Sequence, residues 1–505
     1  MDAMEIARTW LDGQHDGHLL QFEFLFNINQ QATYFRTMNH IRMLKAYCDS
    51  QKAHRLRSEI DLQSYSIALA IHRERIMSQE QHHLLLSVNR MRVLGCAFDQ
   101  LWQRHKSELL RPLKVRLGEE DAFEVGHDLG GVQIEFFNTI CRTLFHEDLQ
   151  MFTTDPTTGF SCIRPGCLQP LYMFELCGLL FALALYNGIT LPIRLPEIYY
   201  GMLSGRSEDI QDPLADAWPK DRKALSEIAE YDIPGLQFTF PIESNGLRLS
   251  ILMEEETCAP EDFTPDQRRT MKIVDATPIA HHPDPSTPTA AHQQSTASSL
   301  TSPPLPVDIQ AIATSWPGWH LIPAHTEPPD VDPSNIALYT SLYTAHLRHL
   351  SVQPQLTSFR RGFAHILPPP LLRALSLPSL RTLLEGDTHF SLAELQAITQ
   401  YDGYDPAMPY IASFWRVLDR WPVAKQMRLL KFVTACERVP AGGVGCLTFV
   451  IKRVVDFGEE EDEAMLPTSS TCFGTLGLPL YRNEGVLERK LSLALEFGLE
   501  GFGIA

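Results

Sequence analysis

An apolar segment from Leu171 to Ile193 limits the ways in which this chain can fold. Its length is sufficient for a helix that crosses a lipid bilayer. However, it contains Glu175 and Asn187, and it reaches Pro192 without basic flanking residues. Because a charged group is costly in lipid, the segment predicts a helix buried in a large hydrophobic core and argues against a membrane span.

Composition narrows the class of protein. A chain of 505 residues is long enough for more than one domain. Its formal charge of −18 argues against a nucleic-acid-binding protein, because such proteins meet phosphates with Lys and Arg. Its ten scattered cysteines include no CxxC pair, which argues against structural zinc and indicates a reducing compartment. Since residues 1–18 lack the apolar core of a secretory signal, we expect a protein of the cytoplasm, the nucleus or both.

The apolar pattern divides the chain into two ordered parts. Residues 20–110 predict mostly helix, including Phe22–Ala46 and His82–Leu110. Residues 254–333 are rich in Pro, Ser, Thr and Ala, so they predict a disordered insertion. A helical pattern resumes at Asn335, and a short polar break at Gly386-Asp387-Thr388 predicts a hinge.

The second ordered part, residues 390–505, has its own helices and at least one strand. The strand is predicted between Leu447 and Val455, where apolar residues alternate. In the last helix, the apolar face consists of Leu487, Leu491 and Leu495.

One cysteine is a candidate nucleophile. Cys472 lies in the segment Leu466–Tyr481, LPTSSTCFGTLGLPLY, in which Pro467 and Pro479 discourage regular structure. The thiol is therefore expected in a loop between the preceding strand and the closing helix, where a large partner can reach it. The alternative is that Cys472 is a small buried hydrophobic residue.

Seven blocks of sequence, in order, resemble the family of HECT ubiquitin ligases, in particular the branch of the E6-associated protein with a fungal-type insertion. The family's active-site signature has Leu-Pro shortly before Thr-Cys, and a second Leu-Pro follows. The resembling blocks cover about 20–250 and 335–505, and they are LGEEDAFEVGHDLGGVQIEFF, LCGLLFALALYNGITLPIRLP, SFRRGFAHILP, YDGY, FW, LLKFVTACERVPAGGVG and LPTSSTCFGTLGLP.

The resemblance implies an α+β, bilobal HECT-like fold. A mainly helical N-terminal lobe would be joined by a short hinge to a smaller α/β C-terminal lobe. The implied boundaries are an N-terminal extension at 1–19, the N-lobe at 20–386 with its disordered insertion at 254–333, the hinge at 387–389 and the C-lobe at 390–505.

The resemblance also implies an activity. Cys472 would accept ubiquitin from a conjugating enzyme as a glycyl thioester and pass it to a lysine of a protein substrate. The co-substrates are proteins, and neither a metal nor an organic cofactor is implied. The chain departs from the family pattern at Ser470, where many members have His, and at Gly474, where Asn is usual. These departures concern the rate or geometry of transfer.

Further site residues follow from the same resemblance. Thr471 adjoins the cysteine, Phe502 would help to dock the tail, and Arg438 would orient the thioester or the ubiquitin tail. The alternatives are a core aromatic for Phe502 and a structural ion pair for Arg438. The docking groove for the conjugating enzyme would include Leu225, Ile228, Tyr231, Tyr339 and Tyr343, whose alternative role is an ordinary hydrophobic core.

Two other functions remain open at this stage. One is an inactive HECT-like scaffold that binds ubiquitin or the conjugating enzyme without transfer. The other is a thiol hydrolase acting on ubiquitin, which needs a histidine close to Cys472. No histidine follows His389 in the sequence, so that base would have to come from the first lobe.

Overall fold

The structure is a computed structural model with three hydrophobic clusters, one in the first lobe, one in a sheet subdomain of that lobe and one in the second lobe. It describes residues 2–13, 18–62, 82–102, 104–119, 122–123, 131–230, 235–244, 247–252, 269–278, 316–387, 391–434, 438–440, 443–454, 465–471 and 474–500.

The first lobe is mainly helical in the part of the chain described. Its elements in chain order are α1 (Ala3–Leu11), α2 (Ile28–Leu62), β1 (Leu84–Asn89), α3 (Val93–Trp102), α4 (Lys106–Leu109), β2 (Leu113–Glu119), β3 (Ala122–Phe123), α5 (Gly131–Leu144), β4 (Phe152–Thr154), β5 (Ser161–Ile163), α6 (Leu171–Tyr186), α7 (Glu197–Ser204), α8 (Pro219–Glu230), β6 (Thr239–Ser244), β7 (Leu247–Leu252), β8 (Arg269–Pro278), β9 (Trp319–Pro323), α9 (Ile336–Arg348), α10 (Gln353–Ala364), α11 (Pro369–Leu372) and α12 (Leu377–Glu385).

Helix α6 is the centre of the first-lobe core, as its apolar sequence predicts. Every residue from Leu176 to Tyr186 is buried. It packs closely on α10, since a Cβ at Gly178 would lie 2.0 Å from the carbonyl oxygen of Phe359. A Cβ at Gly362 would likewise lie 1.7 Å from the carbonyl oxygen of Glu175, so only glycine permits this approach. Within the described residues, no helix is long and apolar enough to cross a membrane.

The prediction of helix over His82–Leu110 is wrong at its start. Residues Leu84–Asn89 form β1, which pairs in parallel with β2. The side chains alternate, with Leu84, Leu86 and Val88 buried and the residues between them half-buried. This period of two indicates a strand, and a short apolar run is ambiguous until a pairing partner is known.

The predicted extension at 1–19 also requires correction. Helix α1 begins behind the N-cap Asp2, whose carboxylate accepts a hydrogen bond from the Met4 amide. Its residues Ile6 and Trp10 are buried in the first-lobe core. This segment is therefore part of the lobe, because its apolar face is covered by the same cluster as α6.

The predicted disordered insertion at 254–333 is wrong for two of its segments. Residues Arg269–Pro278 form β8, which pairs antiparallel with β7 and parallel with β9. Met271, Ile273 and Trp319 are buried in the cluster of the sheet subdomain, whose sheet has the order β6-β7-β8-β9. The first of these short apolar runs pairs with the hairpin of β6 and β7, and the second pairs with the first. The average composition of residues 254–333 does not reveal such short runs. The predicted insertion's residues 254–268 and 279–315 lie outside the described residues.

The second lobe is a smaller unit with a sheet of order β10-β11-β13-β12. The α+β class predicted from the sequence is confirmed. The second-lobe elements are α13 (Leu392–Ile398), β10 (Gln400–Asp402), α14 (Pro409–Asp419), α15 (Val423–Thr434), β11 (Val450–Val454), β12 (Thr468–Ser470), β13 (Thr475–Pro479) and α16 (Glu484–Glu500).

Candidate functional site

The candidate nucleophile, Cys472, stands in the sequence between strands β12 and β13. Cys472 and Phe473 lie outside the described residues, so the description is limited to the residues on either side of them. Strand β12 pairs antiparallel with β13, and Ser470 stands opposite Thr475. The Gly474 amide donates a hydrogen bond of 3.3 Å to the Thr471 carbonyl. The sequence predicted that the thiol lies in a loop between the preceding strand and the closing helix, and this remains a prediction because Cys472 is outside the described residues. The structure adds that short strands flank it on both sides.

The described residues beside the cysteine are open to solvent. Thr468 and Ser470 are exposed on β12, and Thr471 is half-buried. Strand β12 is the outermost strand of the sheet, so no further strand covers it within the described residues.

Gly474 has a local reason to be glycine. Its φ is +57°, and an added Cβ would lie 2.1 Å from the carbonyl oxygen of Thr448. Its own carbonyl accepts a hydrogen bond of 2.8 Å from the Val450 amide. Asparagine tolerates a positive φ but has a Cβ, so it does not fit this packing. Because Gly474 replaces the usual asparagine, its backbone can pack directly on Thr448, which lies just before β11.

Arg438 forms an ion pair, which is one of the two roles that the sequence left open for this residue. Its guanidinium lies 3.6 Å from a carboxylate oxygen of Glu385, whose side chain is only 4% exposed. Burial lowers the pKa of Arg438, and the Glu385 carboxylate opposes that shift. The other oxygen of Glu385 accepts hydrogen bonds of 2.7 Å from the Tyr200 hydroxyl and the Leu195 amide. In this arrangement, Arg438 is held by the first lobe.

The hinge predicted at residues 387–389 begins beside this ion pair. The backbones of Asp387 and Val439 exchange two hydrogen bonds, of 2.8 and 2.9 Å. Gly386 has a φ of +73°, and a Cβ there would lie 2.7 Å from the Val439 carbonyl oxygen. Residues 388–390 lie outside the described residues. The crossing between the lobes is thus stabilised by backbone pairing as well as by charge.

The residues predicted to bind the conjugating enzyme come together in the sheet subdomain. Leu225 and Tyr339 are buried there, at 7% and 4% exposure, while Ile228 and Tyr343 are half-buried at its edge. Burial and the neighbouring Asp221 raise the pKa of Tyr343 to about 12. Tyr231 lies outside the described residues. Leu225 and Tyr339 therefore belong to a local core, and a groove would expose mainly the other two.

Of the residues predicted to have a role near the C-terminus, the structure describes the three leucines of the last helix but not Phe502. Leu487, Leu491 and Leu495 are buried on one face of α16, as their spacing predicts. Phe502 lies outside the described residues. Sequence reasoning missed Glu385 and Tyr200, because a glutamate at a helix end and a tyrosine in an apolar helix carry no signal of their role.

Comparison with known proteins agrees with this architecture. The profile of the HECT-domain (ubiquitin-transferase) family matches residues 138–505, and the chain belongs to that family. It is 26% identical over 506 aligned residues to the probable E3 ubiquitin-protein ligase HECTD2 of Mus musculus. It is also 26% identical to the probable E3 ubiquitin-protein ligase HUL4 of Eremothecium gossypii, and 24% identical to the probable E3 ubiquitin-protein ligase HERC3 of Homo sapiens.

These alignments cover most of this chain but only part of each relative. They include 100%, 78% and 84% of the chain for the mouse, Eremothecium and human proteins, respectively. The corresponding shares of the relatives are 55%, 40% and 33%. The chain thus spans about half the length, or less, of the curated relatives it matches.

Proposed function

We propose that this chain is a ubiquitin-protein ligase that carries ubiquitin as a thioester on Cys472. Ubiquitin would come from a conjugating enzyme and pass to a lysine of a protein substrate. The observation that carries the proposal is the exposure of Ser470, with Thr471 half-buried, at the end of the edge strand that immediately precedes Cys472 in the sequence. Its sequence context and the family of the chain support this assignment.

The chemistry requires two acyl transfers. The Cys472 thiolate attacks the thioester carbonyl of the charged conjugating enzyme, a new carbon–sulfur bond forms, and the enzyme's cysteine leaves as a thiolate. A substrate lysine amine then attacks Cys472–ubiquitin, an amide bond forms, and the Cys472 thiolate is released. Because an unperturbed lysine has a pKa of about 10.4, the amine must lose a proton to solvent or to a base during this step.

The half-buried Cys162 and the buried Cys177 are poor alternatives for this role. Burial raises the pKa of Cys162 to about 12, and it raises the pKa of Cys177 well above its ordinary value. A buried thiol also cannot meet a thioester on a second protein. Cys48 is an exposed cysteine on α2 and therefore serves as the natural control.

We further propose that the conjugating enzyme docks on the sheet subdomain, beside Ile228 and Tyr343. Both side chains are half-buried at the edge of the subdomain cluster. Ile228→Asp places a charge on this edge and should slow the formation of the Cys472 thioester at least fivefold. Ser226→Asp is the matched control, because Ser226 is exposed on the same helix and lies outside the cluster.

The decisive experiment follows fluorescent ubiquitin on non-reducing gels after addition of a charged conjugating enzyme. The expected product is an adduct of this chain that is lost on reduction and absent from Cys472→Ala. Cys48→Ala should retain the adduct, and Cys472→Ser should give an oxygen ester that resists reducing agent. An adduct that persists in Cys472→Ala would overturn the assignment.

A second candidate function rests on Ser470, which stands where many family members have histidine. In that case the chain would be an impaired scaffold that binds ubiquitin or the conjugating enzyme without transfer. The same gels separate the two functions. A scaffold forms no adduct, or forms one that free lysine and substrate proteins do not discharge.

A further inference from the structure

The chain that leads to Cys472 is paired with the second-lobe sheet over a short length. Residues 465–471 approach the cysteine, and three of them form the edge strand β12. These three residues stand opposite Gly477, Leu476 and Thr475 of β13. Because strand pairing this short is only marginally stable, any further contact that holds the segment strongly affects how often it stays paired.

Tyr481 supplies such a contact. Its hydroxyl donates a hydrogen bond of 3.0 Å to the carbonyl of Met465, which lies three residues before β12. Its ring is only 3% exposed and belongs to the second-lobe cluster, together with Leu476 and Leu478 of β13. Because the core fixes the ring, the hydroxyl has a fixed position, and the segment before β12 is attached to the lobe at that point.

Two other tyrosines make the same kind of bond to β13 itself. The hydroxyl of Tyr404 donates a hydrogen bond of 2.7 Å to the Leu478 carbonyl. The hydroxyl of Tyr410 donates one of 2.5 Å to the Pro479 carbonyl. Of these three tyrosines, Tyr481 is therefore the one whose bond acts on the segment that leads to the candidate nucleophile.

We propose that Tyr481 is a positioning residue for thioester formation, and that its hydroxyl keeps residues 465–471 paired with β13 during the attack. The inference rests on the proposed function, in which Cys472 follows this segment and attacks the charged conjugating enzyme. Without the bond, the segment is free at its Met465 end, and the paired arrangement is less populated. The attack slows, because it requires the thiolate and the thioester carbonyl to be held in one geometry. Binding of the conjugating enzyme is unaffected, since its proposed docking edge lies on the sheet subdomain of the first lobe.

A matched pair of variants separates this role from general stability. Tyr481→Phe removes the hydroxyl and keeps the buried ring. Tyr404→Phe is the control, because its ring is also buried, at 7% exposure, and its hydroxyl also bonds to a backbone carbonyl. In urea titrations both variants should be folded and should lose a similar amount of stability, since each loses one hydrogen bond of the same kind.

Hydrogen exchange tests the structural part of the inference without ubiquitin. In Tyr481→Phe, the amides of β12 should exchange about fivefold faster than in the parent chain, which is the factor expected for one net hydrogen bond. The amides of α14 should keep the parent rate. In Tyr404→Phe, exchange of β12 should change less than twofold. Unchanged exchange of β12 in Tyr481→Phe would overturn the inference.

Single-turnover loading tests the consequence for the reaction. The full chain is mixed with increasing concentrations of a conjugating enzyme that carries fluorescent ubiquitin. Tyr481→Phe should lower the maximal rate of adduct formation about fivefold and leave the half-saturating concentration unchanged. Tyr404→Phe should keep both values within twofold of the parent. Equal losses of rate in the two variants, or a higher half-saturating concentration at an unchanged maximal rate, would overturn the inference.

The two proposals fail in different ways. A parent chain that forms no adduct refutes the proposed function and this inference with it. A parent chain that forms the adduct, together with a Tyr481→Phe variant that loads equally fast, refutes only the role of Tyr481.

Discussion

The carboxylate of Glu385, at the end of α12, lies 3.6 Å from the guanidinium of Arg438 in the second lobe. The same carboxylate accepts hydrogen bonds from Tyr200 and from the backbone of Leu195, both in the first lobe. One buried side chain therefore joins the end of the first lobe, its core helix α7 and the second-lobe segment that contains Arg438. The position of the second lobe depends on this contact and on the backbone pairing next to it.

Removal of this carboxylate should destabilise the fold strongly. In Glu385→Ala, Arg438 loses its partner while it remains largely buried, and the free energy of unfolding should fall by about 3 kcal/mol in a urea titration. The control is Glu243→Ala, which removes an exposed pair with Arg248 and should cost less than about 1 kcal/mol. Equal losses in the two variants would contradict a special role for Glu385.

Gly386→Ala should disrupt the crossing between the lobes. Its Cβ would lie 2.7 Å from the Val439 carbonyl oxygen, so the pairing of Asp387 with Val439 must shift. Gly188→Ala is matched, because Gly188 has a φ of +74° and none of the described residues lies within 4 Å of its added Cβ. Hydrogen exchange at Asp387 and Val439 should accelerate at least tenfold in Gly386→Ala and remain unchanged in the control.

Gly474→Asn restores the residue usual in the family, yet it should reduce activity. The added Cβ would lie 2.1 Å from the Thr448 carbonyl oxygen, which forces the active-site turn away from β11. The rate of adduct formation at Cys472 should fall at least tenfold on non-reducing gels. Gly445→Ala is the control, since its added Cβ meets nothing within 4 Å in the described part of the chain, and it should keep the parent rate.

Ser470→His should accelerate the second acyl transfer. Ser470 is exposed, so an imidazole fits there and is able to accept the proton of the attacking lysine. Discharge of the adduct to free lysine should become severalfold faster, while loading should stay constant. Thr468→His places the same group on the same face of β12, two residues further from the turn, and should have a smaller effect. A discharge rate that the Ser470→His change leaves unaltered would contradict a role in proton transfer.

The sheet subdomain should lose stability in acid because of His346. Burial lowers the pKa of His346 to about 4, and its ring stacks on Phe240 at 5.4 Å. Since this pKa lies below the unfolded value of about 6.5, the contribution of the neutral ring is fully present above pH 6.5. It declines as the pH falls toward 4, by about 3 kcal/mol in total.

Urea titrations at pH 7, 5.5 and 4 test this dependence. In His346→Phe the aromatic stacking on Phe240 is retained but the titrating group is absent. The fall in stability between pH 7 and 4 should therefore be smaller by about 3 kcal/mol in the variant. Identical slopes in both proteins would show that another group is responsible.

Several features could be predicted from the sequence because they depend on local pattern. The apolar residues of α6 demand burial wherever the helix packs, and Leu487, Leu491 and Leu495 share a face whatever that face meets. Errors occurred where pairing partners are distant. Leu84–Asn89 and Arg269–Pro278 became strands because β2, β7 and β9 were available beside them.

In the candidate site, too, some features follow from local sequence pattern and others depend on distant parts of the chain. The amino-acid pattern alone predicts two ordered parts, a buried helix in the first of them and a family-specific motif around Cys472. The pairing of Arg438 with Glu385, the contact of Gly474 with Thr448 and the backbone pairing of Asp387 with Val439 become visible only in the folded chain. The reason is physical: helix and strand periodicities repeat over a few residues, whereas ion pairs, close approaches and cavities arise between segments that folding brings together.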